Sequence, residues 1–149
     1  MGKPPRRMRI PDKSDWAGYE ADLDVRHLHK LFFGKSNIEV EEYFANGRAI
    51  ERMDELLFAP RRVFQYYVHA FIGYLMSQDA KGDSDAASPF FSLLEAREKR
   101  DPGSVAAIYS ALSDAIEFVA SRQDYFEANP NIYGNFPERA MHIRKLCGA

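Results

Sequence analysis

The chain has a single cysteine, Cys147, among its 149 residues, one tryptophan, Trp16, and no apolar run long enough to cross a bilayer. One thiol excludes an intramolecular disulfide and favours a reducing compartment. The longest apolar stretch, Val63 to Met76, falls short of the ~20 residues a spanning helix needs and is interrupted by Gln65 and His69. No apolar segment follows the basic start as a secretory signal requires. The opening Met1-Gly2 lacks the Ser or Thr that myristoylation wants, because Arg6 stands there. These readings place the protein in the cytoplasm, away from membranes.

Strand-like alternation, internal repeats and low-complexity tracts are also missing. So are a nucleophile elbow, a zinc-protease motif, a glycine-rich dinucleotide loop and a Cys-x-x-Cys pair. The net charge of −2 argues against general nucleic-acid binding. The charge is uneven, however. Residues 1–13 carry a net of +4 through Lys3, Arg6, Arg7, Arg9, Lys13 and Asp12, so the remainder carries −6. Such a segment reads as a solvated basic arm, with phosphates or an acidic partner as its alternative use.

What is present points to helices. Aromatic residues make up 13%, too many for a disordered chain. The length suits one domain, which buries roughly 68–70% of the surface its unfolded chain exposes. We read residues 1–15 as the arm and 16–149 as one all-α domain, an irregular bundle of five or six helices. Val25, Leu28, Leu31 and Phe32 mark a first helix ending at Gly34. Ser36-Asn37-Ile38-Glu39 is a capping box opening a second, which Asn46-Gly47 can break in two. Beyond the break, Ile50, Met53 and Leu57 form the expected apolar stripe. Pro60 opens a third helix over 60–78, apolar on the Phe64, Val68, Phe71, Leu75 face and aromatic on the opposite one. It reads as the central helix, with Gly73 permitting a close crossing. The stretch 79–88 reads as a polar loop, Ser88-Pro89 as the start of a short fourth helix, and 129–135 as a loop. Val105, Tyr109, Leu112, Ile116, Val119, Gln123 and Phe126 predict a long fifth helix over 102–128, with Ser110, Asp114, Glu117, Ser121 and Asp124 facing water. Pro137 opens the last helix.

Few constellations carry chemistry. Gly34-Lys35-Ser36 resembles the end of a phosphate loop, but His29 stands where its first glycine belongs and the context is helical. Asp79, Asp83 and Asp85 lack the spacing of a calcium loop. Glu20, Asp24 and His27, at i, i+4 and i+7, would share a helical face and offer zinc, iron or manganese a carboxylate–imidazole set. A solvated polar face is the plainer account. Tyr66, His69, Tyr74 and Met76 would wall a ligand pocket with a general base in it. A hydrogen-bonded core histidine is the plainer account there. Arg61 and Arg62 are expected to pair with Asp54 or Glu55. Cys147 has no base in reach.

No catalytic residues and no cofactor are therefore assigned. The sequence favours a small interaction or regulatory protein acting through a helical surface. A helical enzyme or small-molecule binder using Tyr66, His69 and Tyr74 is the second reading, and a nucleic-acid-associated protein anchored by Arg6, Arg7 and Arg9 the third. The apolar arc of the fifth helix, widened by Phe118 and Tyr125, slightly favours a homodimer.

Overall fold

The structure, a computed structural model, describes residues 8–149; Lys3, Arg6 and Arg7 of the basic arm lie outside the described residues. Among the described residues there is no strand, and the chain forms eight α-helical segments. These are α1 (Leu23–Phe32), α2 (Asn37–Val40), α3 (Ala49–Phe58), α4 (Arg61–Leu75), α5 (Ser84–Arg100), α6 (Tyr109–Ala120), α7 (Pro130–Tyr133) and α8 (Phe136–Leu146). Six of them have ten or more residues, which makes the fold an irregular helical bundle.

α4 lies at the centre, against α2, α3, α5 and the 3-10 turn Glu41–Phe44. Its Phe64, Val68, Phe71 and Leu75 face is wholly buried. The opposite face is only partly covered: Tyr66 is buried, His69 and Gly73 are half-buried, and Met76 is exposed. The neighbour that crosses at Gly73 is the Glu41 side chain, whose carboxylate occupies the space a Cβ would need. α3 packs on α1 and α5, while α8 lies between α5 and α6.

The capping box forms as the sequence predicts. Ser36 Oγ accepts from the Glu39 N–H at 3.3 Å, and Glu39 Oε1 accepts from the Ser36 N–H at 3.0 Å. The break before α3 also forms, because Asn46 and Gly47 both adopt positive φ, at 60° and 77°.

Elsewhere tertiary contacts override local signals. α5 starts at Ser84, four residues before the Ser88-Pro89 cap, and Pro89 sits inside it. Two Tyr side chains and one Tyr carbonyl from other segments hold that start. Tyr74 donates to Asp83 at 2.6 Å, Tyr133 donates to Asp85 at 3.0 Å, and the Gly82 N–H donates to the Tyr125 carbonyl at 3.0 Å. The helix over 102–128 is shorter than its seam: α6 covers only Tyr109–Ala120, flanked by a 3-10 turn at Ala106–Ile108 and turns after Ser121. The seam residues Val105, Leu112, Ile116, Val119 and Phe126 are nevertheless all buried. The 129–135 loop contains the single turn α7, capped by Asn129.

The largest departure is in α3. Its buried residues are Ala49, Arg52, Glu55 and Leu56, while Ile50 is exposed and Met53 and Leu57 are only half-buried. Arg52 and Glu55 neutralise each other, with Nε to Oε1 at 2.5 Å and Nη2 to Oε2 at 3.0 Å. A paired charge can sit where an apolar residue is expected, and no hydropathy pattern shows it.

Candidate functional site

An open groove of about 650 Å³ runs between α6 and α8. Of the buried apolar seam beneath it, Ile116 lines the groove itself. Leu112, Ile116 and Val119 of α6 and Phe136 and Ile143 of α8 are buried where the helices meet. Above that line the residues become small or short, with Ala120 on α6 and Pro137 and Ala140 on α8, so the helices touch at the base and leave space above it. Tyr109 closes one part of the rim, and Met141 stands over it with 59% of its surface exposed.

The walls differ in charge. α6 contributes Asp114 and Glu117, and α8 contributes Arg144. All three are exposed, and none takes part in an ion pair among the described residues. The two wall serines are already engaged, since Ser113 donates to the Ser110 carbonyl at 3.2 Å and Ser121 to the Phe118 carbonyl at 3.3 Å. The free polar capacity of the groove therefore lies in the three charged residues and the Tyr109 hydroxyl.

Gln123 fixes the angle between the two helices. Its Nε2 donates to the Ala128 carbonyl at 3.0 Å and to the Gly134 carbonyl at 2.7 Å, and its Oε1 accepts from the Phe136 N–H at 2.9 Å. One amide thus ties the turn after α6 to the first residue of α8. Asn135 caps α8 by accepting from the Glu138 N–H at 2.9 Å. From α5, Ser88 and Ser92 are held by Arg139, which also donates to the Tyr133 carbonyl.

The residues singled out from the sequence lie elsewhere. Tyr66 accepts a hydrogen bond from the Asn37 N–H at 3.3 Å and lines a 210 Å³ recess with Met8, Arg9, Arg62 and Ile108. Tyr74 lines a different recess, of about 630 Å³, with Ile38, Glu39, Glu41, Glu42 and Asp79. His69 lines neither, and burial pushes its pKa down.

Glu20 lies in a 3-10 turn, Tyr19–Ala21, ahead of α1, so it does not share a helix with Asp24 and His27. His27 Nδ1 meets Glu55 Oε2 at 2.5 Å, capping the Arg52–Glu55 pair from the solvent side. Among the described residues no three His, Cys, Asp or Glu are grouped to hold a metal. Of the basic arm, Arg9 pairs with Asp12 at 2.6 Å and Asp15 at 3.0 Å. Residues 8–16 lie on the body, since Ile10 packs against the core and Pro11 and Trp16 are buried.

The expected pairing of Arg61 and Arg62 with Asp54 or Glu55 does not occur. Arg61 grips Asp101 through Nε at 3.0 Å and Nη2 at 2.6 Å, and Glu55 belongs to Arg52 and His27. Sequence reasoning also missed two buried charges in the run Glu95 to Arg100. Arg97 Nη1 donates to the Leu56, Leu57 and Ala59 carbonyls that end α3. The Glu98 carboxylate accepts from the N–H groups of Gly103, Val105 and Ala106 at 2.6, 2.8 and 2.9 Å. Neither has a signal in a run that looks like a solvated face.

Comparisons with protein-family models, curated proteins and solved structures found no match. Among the described residues no helix is long and apolar enough to cross a membrane.

Proposed function

We propose that this protein is an interaction module without catalytic activity, and that its docking surface is the α6–α8 groove. The observation that carries this reading is a preformed channel between two rigid helices, apolar at its base, with unpaired charges of opposite sign on its walls. An amphipathic helix fits such a channel: it sets residues at i, i+3 or i+4 and i+7 on the floor and charged flanks against the rim. The titratable groups give this reading further support. His27 is engaged by Glu55, His142 meets Glu95 at 3.2 Å, and the ring of His29 stacks on Tyr19 at 3.8 Å. Burial, then the charge of Glu98, pushes the Cys147 thiol up to about 11, away from a reactive thiolate.

The test is nuclear magnetic resonance of the isotope-labelled full chain, titrated with designed amphipathic helical peptides. Shifts concentrated on Ile116, Glu117, Ala120, Ala140 and Met141 are expected. Binding that leaves these signals unmoved and shifts those around Ile38 and Tyr74 would overturn the assignment, and so would a complete lack of binding across peptides of both charge signs.

A further inference from the structure

We infer that the occupant of the α6–α8 groove is the α6–α8 pair of a second copy, joined to the first across a two-fold axis. This rests on the reading of the groove as a docking surface. A two-fold contact sets one patch against itself, so a patch suits it only when its parts complement one another. This one does so in charge and in shape. The acidic wall, Asp114 and Glu117, and the basic Arg144 lie on opposite sides of the channel. Rotating one copy about an axis that lies in the contact plane and runs along the groove brings each acidic wall onto the other copy's Arg144, so the contact forms twice. Met141 projects from one wall, and Ala120 and Ala140 leave the small-residue space that can receive it.

α6 supplies a second reason. Its seam recurs at spacings of four and three, the pattern of a helix with near-parallel neighbours. Within one chain the eleven-residue α8 is its chief helical partner, and of the apolar seam residues Tyr109, which lines the groove, remains half-exposed. A second helix pair laid across the groove completes a four-helix arrangement. The contact involves one short helix pair from each copy and pairs exposed charges, so assembly should depend on concentration and weaken with salt.

Light scattering and sedimentation of the full chain over a concentration series provide the test. The expected mass rises toward twice the monomer. Each of Glu117→Arg and Arg144→Glu places two like-charge contacts in the dimer and should weaken it by about tenfold or more. Mixing the two variants should restore association as a one-to-one heterodimer, because every facing pair is then of opposite sign. Both positions are exposed, so both variants should keep the wild-type helical circular dichroism.

As an independent check, a half-labelled wild-type sample should show contacts between the Met141 methyl and the Ala120 methyl of the other copy. A wild-type chain monomeric at every concentration would overturn the inference, as would a dimer indifferent to both reversals or variants that stay apart when mixed. Reversals that lower thermal stability without changing mass would also overturn it, by showing that the pair forms within one chain. A monomeric chain that still binds helical peptides in the groove refutes the dimer and leaves the docking reading intact. A monomer that binds none refutes both.

Discussion

Replacing Arg97 with Met should cost this protein about 3–5 kcal/mol, the range for removing one member of a buried polar cluster. The geometry shows why. Nη1 donates to three carbonyls at 2.6, 2.9 and 3.3 Å, and those carbonyls belong to Ala59, Leu57 and Leu56, the end of α3. A helix C-terminus leaves its last carbonyls without intrahelical partners. Here the C-cap Ala59 N–H reaches only the Leu56 carbonyl, at 3.3 Å, and a side chain from α5 serves all three. Nη2 also reaches Asp101 at 3.3 Å, and the guanidinium lies over the Phe64 ring at 5.0 Å. Hydrogen bonds to a charged group are worth about 1.5–3 kcal/mol each, though not additively. One term opposes them: Nε is buried with no partner among the described residues, so the wild type already bears part of the desolvation cost. Met keeps the stem's packing and removes the donors, which isolates the polar term. Urea unfolding followed by helical circular dichroism measures the loss, and calorimetry should place Tm lower by about 10 °C. Arg100→Met is the control, since Arg100 is exposed and rests on Phe58; it should cost less than about 1 kcal/mol. A loss below about 1 kcal/mol for Arg97→Met would refute the claim that this side chain caps α3.

Three other outcomes are expected. Glu55→Gln leaves Arg52 buried beside a neutral partner and should destabilise by about 3 kcal/mol in urea titrations, whereas Ile50→Ser on the exposed side of the same helix should change little. Burial holds the pKa of His69 below 6.5, and that of His29 too, with Glu20 partly opposing the latter. The unfolded chain therefore binds more protons than the folded one just below pH 6.5, and stability should fall as pH drops through that window; His69→Gln should flatten the slope measured by chemical unfolding at a series of pH values. At pH 8 the Cys147 thiol should react with a disulfide reagent on the order of a hundredfold more slowly in the native chain than in urea, because its folded pKa stands at about 11 against about 8.5 for a free thiol. Equal rates would show that the thiol is not shielded.

The parts of the fold legible in the sequence were those set by local chemistry. Ser36 and Glu39 specify their capping box by spacing alone, and Asn46-Gly47 break the chain because both tolerate positive φ. The α4 face and the α6 seam follow from periodicity. The rest depends on residues distant in sequence. Tyr74, Tyr125 and Tyr133 set where α5 begins, and nothing near Ser84 announces them. α3 hides its true face because Arg52 and Glu55 read as solvated until His27 and each other are brought close. The groove was legible only in part. The exposed line of Asp114 and Glu117 follows from helical spacing, but the channel exists because Ala120 and Ala140 stand together, and no local pattern brings α6 beside α8.

The place of α8 in the bundle has a consequence for synthesis. α6 leaves the ribosome before α8 does, and α8 lies between α6 and α5. Leu112, Ile116 and Val119 then wait uncovered until α8 has been made and docked, while α3, α4 and α5 can already pack together. The nascent chain thus presents a sticky stripe for a defined interval. Any stall or premature stop between α6 and α8 would prolong that interval, releasing a folded N-terminal body with an unprotected helix in tow.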